Sequence, residues 1–425
     1  MRRSRFASML ATALVTALAA FLILNLSLAD RTVERRVESQ YGVGEPQFLR
    51  TMGALLGPAI VPGNRATALV NGDEIFPAML EAIRGARHTI DFETYIYWSG
   101  NVGREFAQAL SDRARAGVRV AVLLDWVGSG KMDERLLDDM RAAGVAIMRY
   151  NQPRWYNLGR LNNRTHRKLL VVDGRIGFTG GVGIADQWAG NAQDPQHWRD
   201  THFRIEGPVV AQMQAAFLDN WMEVTGTVRH GTEYFPPLQP AGDQQAQVFI
   251  SSPGGGGESM QLMYLLSIAA AQKTITLSAS YFVPDDVALA TFTAALKRGV
   301  RVRMILPGPH VDSDIVRRAS RARWGELLRA GAEIYEYQPT MFHCKVMVVD
   351  DLWTSVGSTN FDNRSFSVND EANLNVYDSA FARRQTAIFE EDLARARRVS
   401  LEEWSSRPWS EKLWEHTVAL LGSQL

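Results

Sequence analysis

One short pattern occurs twice in this chain with the same downstream spacing, and it restricts the fold more than any other feature. His166-Arg167-Lys168 is followed after four residues by Asp173, and after six more by Gly180-Gly181. His343-Cys344-Lys345 is followed in the same way by Asp350 and Gly357-Ser358. A lone His-x-Lys carries almost no information, but two copies inside a repeated background carry a great deal. The background does repeat: TIDFETYIYW around residue 89 returns as TITLSASYFV around residue 274, residues 116–124 return as 298–306, and 141–145 return as 328–332. The offset between copies is nearly constant, which marks a duplicated domain and excludes a short solenoid repeat.

Each copy alternates helical and strand patterns. Helix-like stretches at 76–84, 104–116 and 134–143 alternate with a β-rich run at 118–124, which predicts α/β halves built on mixed or parallel sheets. We expect a first half at 61–230, a linker at 231–246 that contains the turn-rich stretch 236–242, and a second half at 247–400. Residues 31–60 form a linker and pre-domain segment, and 401–425 an amphipathic C-terminal helix. Along residues 89–97, period two puts Asp91, Glu93, Tyr95 and Tyr97 on one face. Such a face predicts a polar cleft, with an exposed edge strand as the plainer alternative. The glycine run 254–257 lacks a following P-loop lysine and reads as a turn.

The motif itself has readable physics. Residues 169–172 and 346–349 are strand-forming, so His166 and Lys168 share one face, as do His343 and Lys345. Arg167 and Cys344 point the other way, and Cys344 reads as packing. Asp173 and Asp350 are expected to brace the end of the strand and its turn. With Cys344 the sole cysteine, no intrachain disulfide and no cysteine-based metal site can form. His88, His197, His202, His230, His310 and His416 show no metal-ligand spacing and read as structural or surface groups.

Lys+Arg and Asp+Glu are both 46, which argues against a dedicated nucleic-acid binder. Arg2, Arg3 and Arg5 precede an uncharged, mostly apolar run from residue 6 to 29. Its length favours a membrane anchor, and small residues at Ser27-Leu28-Ala29 leave open a signal segment cleaved near Ala29. Residues 154–161 mix basic and aromatic side chains, as a membrane interface, a nucleic-acid groove or an ordinary surface loop would. Trp404, Trp409 and Trp414 near the C-terminus read as helix packing.

The doubled H-x-K-x4-D-x6-G-[G/S] pattern resembles the phospholipase D superfamily and, within it, the bacterial cardiolipin synthase family. The likeness runs from about residue 60 onward, through 91–96, Arg199-Asp200, 204–208 and 357–366. It implies a duplicated phospholipase D-like α/β fold, two pseudo-twofold halves sharing one active site; the apolar run at 6–29 adds an N-terminal hydrophobic helix to this expectation. It implies catalytic His166, Lys168, Asp173, His343, Lys345 and Asp350, with no cofactor and no metal. His166 is expected as the nucleophile that forms a phosphohistidine and His343 as acid and base, the reversed roles remaining open. Asp200 is matched to the first half and Glu371 to the second as histidine-orienting carboxylates, and Asn360, Ser358 and Gly181 as phosphate-binding groups. Gly183 stands where the family prefers an asparagine. The implied activity is phosphatidyl transfer between two phosphatidylglycerol molecules at a bacterial inner membrane, with release of glycerol. A phospholipase D-type hydrolase, an exported nuclease and an inactive membrane scaffold are the alternatives.

Overall fold

The computed structural model describes residues 9–20, 33, 37–38, 41–153, 162–253 and 257–419. The strands are β1 (Val61–Val70), β2 (Thr89–Thr94), β3 (Arg119–Asp125), β4 (Ala146–Tyr150), β5 (Arg164–Thr165), β6 (Leu169–Val172), β7 (Ile176–Gly180), β8 (Thr201–Glu206) and β9 (Gln244–Ser251). They continue as β10 (Thr274–Ala279), β11 (Phe282–Val283), β12 (Arg301–Pro307), β13 (Glu333–Tyr337), β14 (Lys345–Val349), β15 (Trp353–Gly357), β16 (Phe361–Asp362), β17 (Asn369–Tyr377) and β18 (Ala396–Val399).

The first half orders its strands β1-β8-β7-β6-β2-β3-β4, and the second β9-β17-β15-β14-β10-β12-β13 with β18 added at the edge. The two orders are the same topology. Along these two strand orders the β2-β3-β4 and β10-β12-β13 pairings are parallel and the others antiparallel, so the sheet is mixed, while β11 and β16 pair in parallel apart from it. β1 and β9 pair antiparallel at the seam, Val61 against Ala246, and fuse the halves into one continuous sheet. Parallel neighbours need helical crossovers, and helices Asn101–Arg115 and Glu134–Ala142 supply them in the first half. Their bounds fall within one to three residues of the sequence pattern.

A core common to both halves lies at this seam. Val171, Phe203, Ile205 and Met213 of the first half pack with Val248, Val356, Leu374 and Phe381 of the second. Separation would return this apolar surface to water, at roughly 25 cal/mol per Å2.

The acidic face of β2 departs from expectation. β2 is central, paired with β3 and β6, so it is no edge strand. Asp91 and Glu93 are fully buried against helix Val210–Thr225 and do not open into a cleft. Gln214 donates to Asp91 (2.8 Å) and Asn220 to Glu93 (2.7 Å), with Thr165 also donating to Glu93. Burial still raises Asp91 to about 6 and Glu93 to about 7. Tyr97 donates to the Gly103 carbonyl (2.9 Å) in the core, which leaves Tyr95 alone of the four facing open space. Period two tells which residues share a face; it does not tell which helix covers them.

The motif aspartates occupy equivalent turns. Asp173 and Asp350 have φ of 53° and 54°. Asp173 accepts from the backbone N–H groups of Arg87, His88 and Thr89, and Asp350 from those of Gln272, Lys273 and Thr274, all at 2.7–2.9 Å. Each carboxylate therefore pins the start of β2 or β10 to the end of the motif strand.

Among the described residues no helix is long and apolar enough to cross a membrane. Residues 9–20 are helical, with Met9, Leu10, Leu14, Val15 and Leu18 exposed; the rest of the 6–29 run and residues 154–161 lie outside the described residues. The C-terminal segment forms two helices, Leu401–Ser405 and Trp409–Ala419, where one was expected. Trp404 packs, its indole N–H donating to the Arg321 carbonyl (2.8 Å), whereas Trp409 and Trp414 are exposed.

Replacing Asp173 or Asp350 by Ala should destabilise the protein by about 2–4 kcal/mol, since three charge-assisted bonds are lost at a left-handed residue. Asn, which tolerates that conformation, should recover part of the loss. Urea unfolding measures it; a loss below about 0.5 kcal/mol would remove the clamp role.

Candidate active site

Each motif histidine is held by the half it does not belong to. Just before the first motif, β5 pairs in parallel with β17, and the His166 N–H donates to the Asp370 carbonyl (2.8 Å). Just before the second, Arg199 donates to the Met341 carbonyl (2.9 Å) and the His343 N–H donates to the Arg199 carbonyl (2.8 Å). These backbone bonds carry each imidazole to a carboxylate of the opposite half. His166 Nδ1 lies 2.8 and 2.9 Å from the two Glu371 oxygens, and His343 Nδ1 lies 2.7 Å from Asp200 Oδ2. The sequence matching of Asp200 to the first half and Glu371 to the second is thus corrected: the pairs are crossed. Chain order cannot reveal this, because each carboxylate lies downstream of its own motif and the exchange is made by long-range strand pairing.

The electrostatics fix the tautomers. Burial would raise Glu371 and Asp200, but the facing imidazoles and lysines outweigh it and hold both carboxylates below their usual range. An ionised carboxylate can only accept, so each Nδ1 carries the proton and each Nε2 keeps its lone pair. Burial lowers His166 to about 4, against the opposing pull of Glu371, and burial with Lys345 lowers His343. Both rings are neutral at pH 7. The Lys168 ammonium donates to the His166 carbonyl and that of Lys345 to the His343 carbonyl, each at 2.8 Å. Burial brings Lys168 down to about 7, Glu371 opposing and Lys345 adding to the shift.

Both imidazoles line one cavity of about 300 Å3, together with Lys168 and Asn360. Lys345 is buried beside His343, 3.2 Å from its ring nitrogens. Tyr95 stands edge-on to His166 with ring centres 5.2 Å apart, while Trp188 and Trp198 flank His343 at 5.3 and 5.6 Å. These aromatic contacts restrict the orientation of each imidazole. Neutral imidazole nitrogens facing primary ammonium groups across such a pocket can attack, protonate and stabilise an oxyanion.

The remaining expected site residues divide. Asn360 reaches the cavity and accepts from Ser280 Oγ (2.6 Å), which in turn accepts from Lys345 (2.7 Å). Ser358 instead donates to Glu371 (2.6 Å), and a side chain at Gly181 would collide with Asp200. The two equivalent positions therefore back the orienting carboxylates and do not line the pocket. Asp173 and Asp350 likewise sit at the turns, not in the pocket. At Gly183 a β-carbon would press on Ile96 and the Trp188 ring, whose indole N–H donates to Asp200 (3.0 Å). The space beside Gly183 is thus taken by an indole that braces the carboxylate. Cys344 is buried, its thiol pushed up to about 12 by burial. Among the described residues no cluster of His, Cys, Asp and Glu could hold a metal.

Arg164, Trp188, Trp198, Tyr281, Asp312 and Arg364 also line the pocket and were not singled out from the sequence. Arg164 had a signal, since period two places it on the face of His166 and Lys168. The tryptophans had none, because a single 3-10 turn (Asp186–Trp188) and the irregular segment after it bring them in.

Comparison with known proteins places this geometry. The family model described as "Cardiolipin synthase, PLD-like domain" matches residues 79–221 and 264–393. The cardiolipin synthase of Geobacillus kaustophilus (strain HTA426) is 34% identical over 365 residues, 85% of this chain and 72% of that one. Cardiolipin synthase A of Pseudomonas syringae pv. syringae (strain B728a) is 35% identical over 361 residues, covering 84% and 74%. Among solved structures, the phosphatidylserine synthase of Haemophilus influenzae Rd KW20 superposes with a TM-score of 0.64 over 85% of this chain and 95% of that one. At 14% identity that likeness speaks for the fold alone. With the matched repeats and the relatives' identity both in hand, the chain belongs to the cardiolipin synthase family of phospholipase D-like phosphatidyltransferases.

Proposed function

We propose that this protein makes cardiolipin from two molecules of phosphatidylglycerol through a covalent phosphohistidine. The observation that carries the reading is a single cavity lined by two neutral imidazoles, each braced on Nδ1 by a buried carboxylate. His166 Nε2 attacks phosphorus of the first lipid, forming an N–P bond as the P–O bond to glycerol breaks. His343 delivers a proton to the departing glycerol oxygen. The phosphate's own negative charge, once bound, favours the protonated His343 that this step needs. Glycerol leaves and a second phosphatidylglycerol enters. His343 removes the proton from its hydroxyl, the oxygen attacks phosphorus, and His166 departs unchanged.

Lys168, Lys345 and Asn360 meet the non-bridging oxygens. An ammonium about 4 Å from a phosphoryl oxygen gains on the order of 4 kcal/mol at an effective dielectric of about 20. Asp173 and Asp350 act only by fixing the strands that carry the histidines. The halves at about 61–230 and 247–400 work as one unit in this reading. The lipid substrate places the protein at a membrane surface, in keeping with the exposed apolar side chains of residues 9–20.

Incubating purified protein with phosphatidylglycerol should give cardiolipin and free glycerol in equal amounts by mass spectrometry; phosphatidic acid alone would replace transfer by hydrolysis. His166→Ala should lower the rate by about 1,000-fold or more, and Glu371→Gln by about 100- to 10,000-fold. A slow His343→Ala enzyme, quenched with substrate, should carry its phosphatidyl adduct on the peptide containing His166. An adduct on His343 in the His166→Ala enzyme, and none in the converse, would reverse the roles.

The pH dependence follows from Lys168. Its charge is present below about 7 and is lost above it. The kcat/KM for the anionic donor should therefore fall as pH rises through 7 to 8, because that parameter reports the free enzyme. Bound phosphate holds the ammonium charged, so kcat should fall at a higher pH. Coincident alkaline limbs in the two profiles would contradict this.

A further inference from the structure

Joining two phosphatidylglycerols requires the pocket to hold two phosphates at once: the one under attack, and the one already esterified in the acceptor. Lys168, Lys345 and Asn360 are committed to the first. We propose that Arg164 and Arg364 form a second anion subsite, which receives the phosphodiester of the acceptor lipid; this rests on the transfer reading above.

Both arginines line the cavity that contains the two histidines. Arg164 lies on β5, two residues before His166 and on the same face. Arg364 comes from the short helix Asn363–Ser367 of the other half. One segment holds both. Arg164 donates to the Asn163 carbonyl (2.6 Å), and Arg364 to the Asn162 side-chain and backbone oxygens (3.0 and 2.8 Å). Two like charges from opposite halves are thus gathered at one end of the pocket, with oxygens of Asn162 and Asn163 among their partners. Burial, with Arg164 adding to it, draws the Arg364 guanidinium below its ordinary value. Carboxylates stand near as well: Asp125 accepts from the Val127, Gly128 and Thr165 N–H groups, Asp312 from the Tyr281 hydroxyl and Asp362 from the Ser365 N–H, while Asp125 and Asp362 also attract the guanidiniums. An arriving anion relieves the repulsion between the guanidiniums and meets two planar donor groups suited to phosphate.

The pseudo-twofold axis sharpens the case. The motif offset relates Arg164 to Met341, and Arg364 to Gln187. Neither counterpart is charged, so the halves are alike in their His/Lys pairs and unlike here. The reaction has the same asymmetry. One lipid gives up its headgroup glycerol, while the other keeps its phosphate a glycerol's length from the reacting hydroxyl. Water and free glycerol carry no such charge, so the arginine pair selects an anionic acceptor over a neutral one.

The test compares two acceptors that share one donor step. Full-length protein is given phosphatidylglycerol vesicles and isotopically labelled glycerol. Cardiolipin reports the anionic acceptor, and label exchanged into phosphatidylglycerol reports the neutral one. In Arg164→Gln and in Arg364→Gln the ratio of cardiolipin to exchange should fall about tenfold or more, and Arg364→Lys should keep it within about threefold of wild type. An unchanged ratio, including one in which both products fall together, overturns the subsite, because the arginines would then serve the donor or the fold. Wild-type protein that exchanges glycerol but forms no cardiolipin removes the transfer reading, and the subsite with it.

Discussion

A carboxylate from one half holding the imidazole of the other is the bond on which the rest of this structure depends. Glu371 reaches His166 and Asp200 reaches His343, and the backbone beside each pair crosses the seam as well. A buried carboxylate left without its partner costs several kcal/mol, so neither half can present its site groups alone without penalty. The continuous sheet through β1 and β9 and the shared core around Phe203, Leu374 and Phe381 keep the two exchanges in register. Duplication thus gathers both imidazoles, one from each half, at a single cavity.

The symmetry is broken where the chemistry needs it broken. Ser358 supports Glu371 through a hydroxyl, whereas its counterpart Gly181 makes room for Asp200, which the Trp188 indole supports instead. Asn360 and Ser280 link to Lys345, while their counterparts are Gly183 and Tyr95. Two imidazoles of nearly equal surroundings would compete for one role. Different aromatic and polar neighbours give each its own environment, as the proposed division into a nucleophile and a proton carrier requires.

Much of this was legible in the sequence, for identifiable reasons. Motif spacing and repeated strand patterns point to two duplicated α/β halves, because period two and helix–strand alternation are local properties. The His/Lys faces, the inward burial of Cys344 and the turn role of Asp173 and Asp350 follow from the same periodicity. The crossed pairing, the burial of Asp91 and Glu93 under helix Val210–Thr225, and the arrival of Trp188 and Trp198 were not legible. Each depends on which distant segment lies against the strand. The polar face of β2 resembled a cleft because a buried acid and a solvent-facing acid look alike until the covering helix, with Gln214 and Asn220, is in place.

The crossed pairing is tested most directly by nitrogen NMR of histidine-labelled protein, which reads the tautomer and titration of each ring. With Glu371→Gln, the His166 resonances should change tautomer balance and pKa while those of His343 stay in place, and Asp200→Asn should do the reverse. If Glu371→Gln instead perturbed His343 and spared His166, each half would be holding its own histidine, and the shared site described here would be wrong.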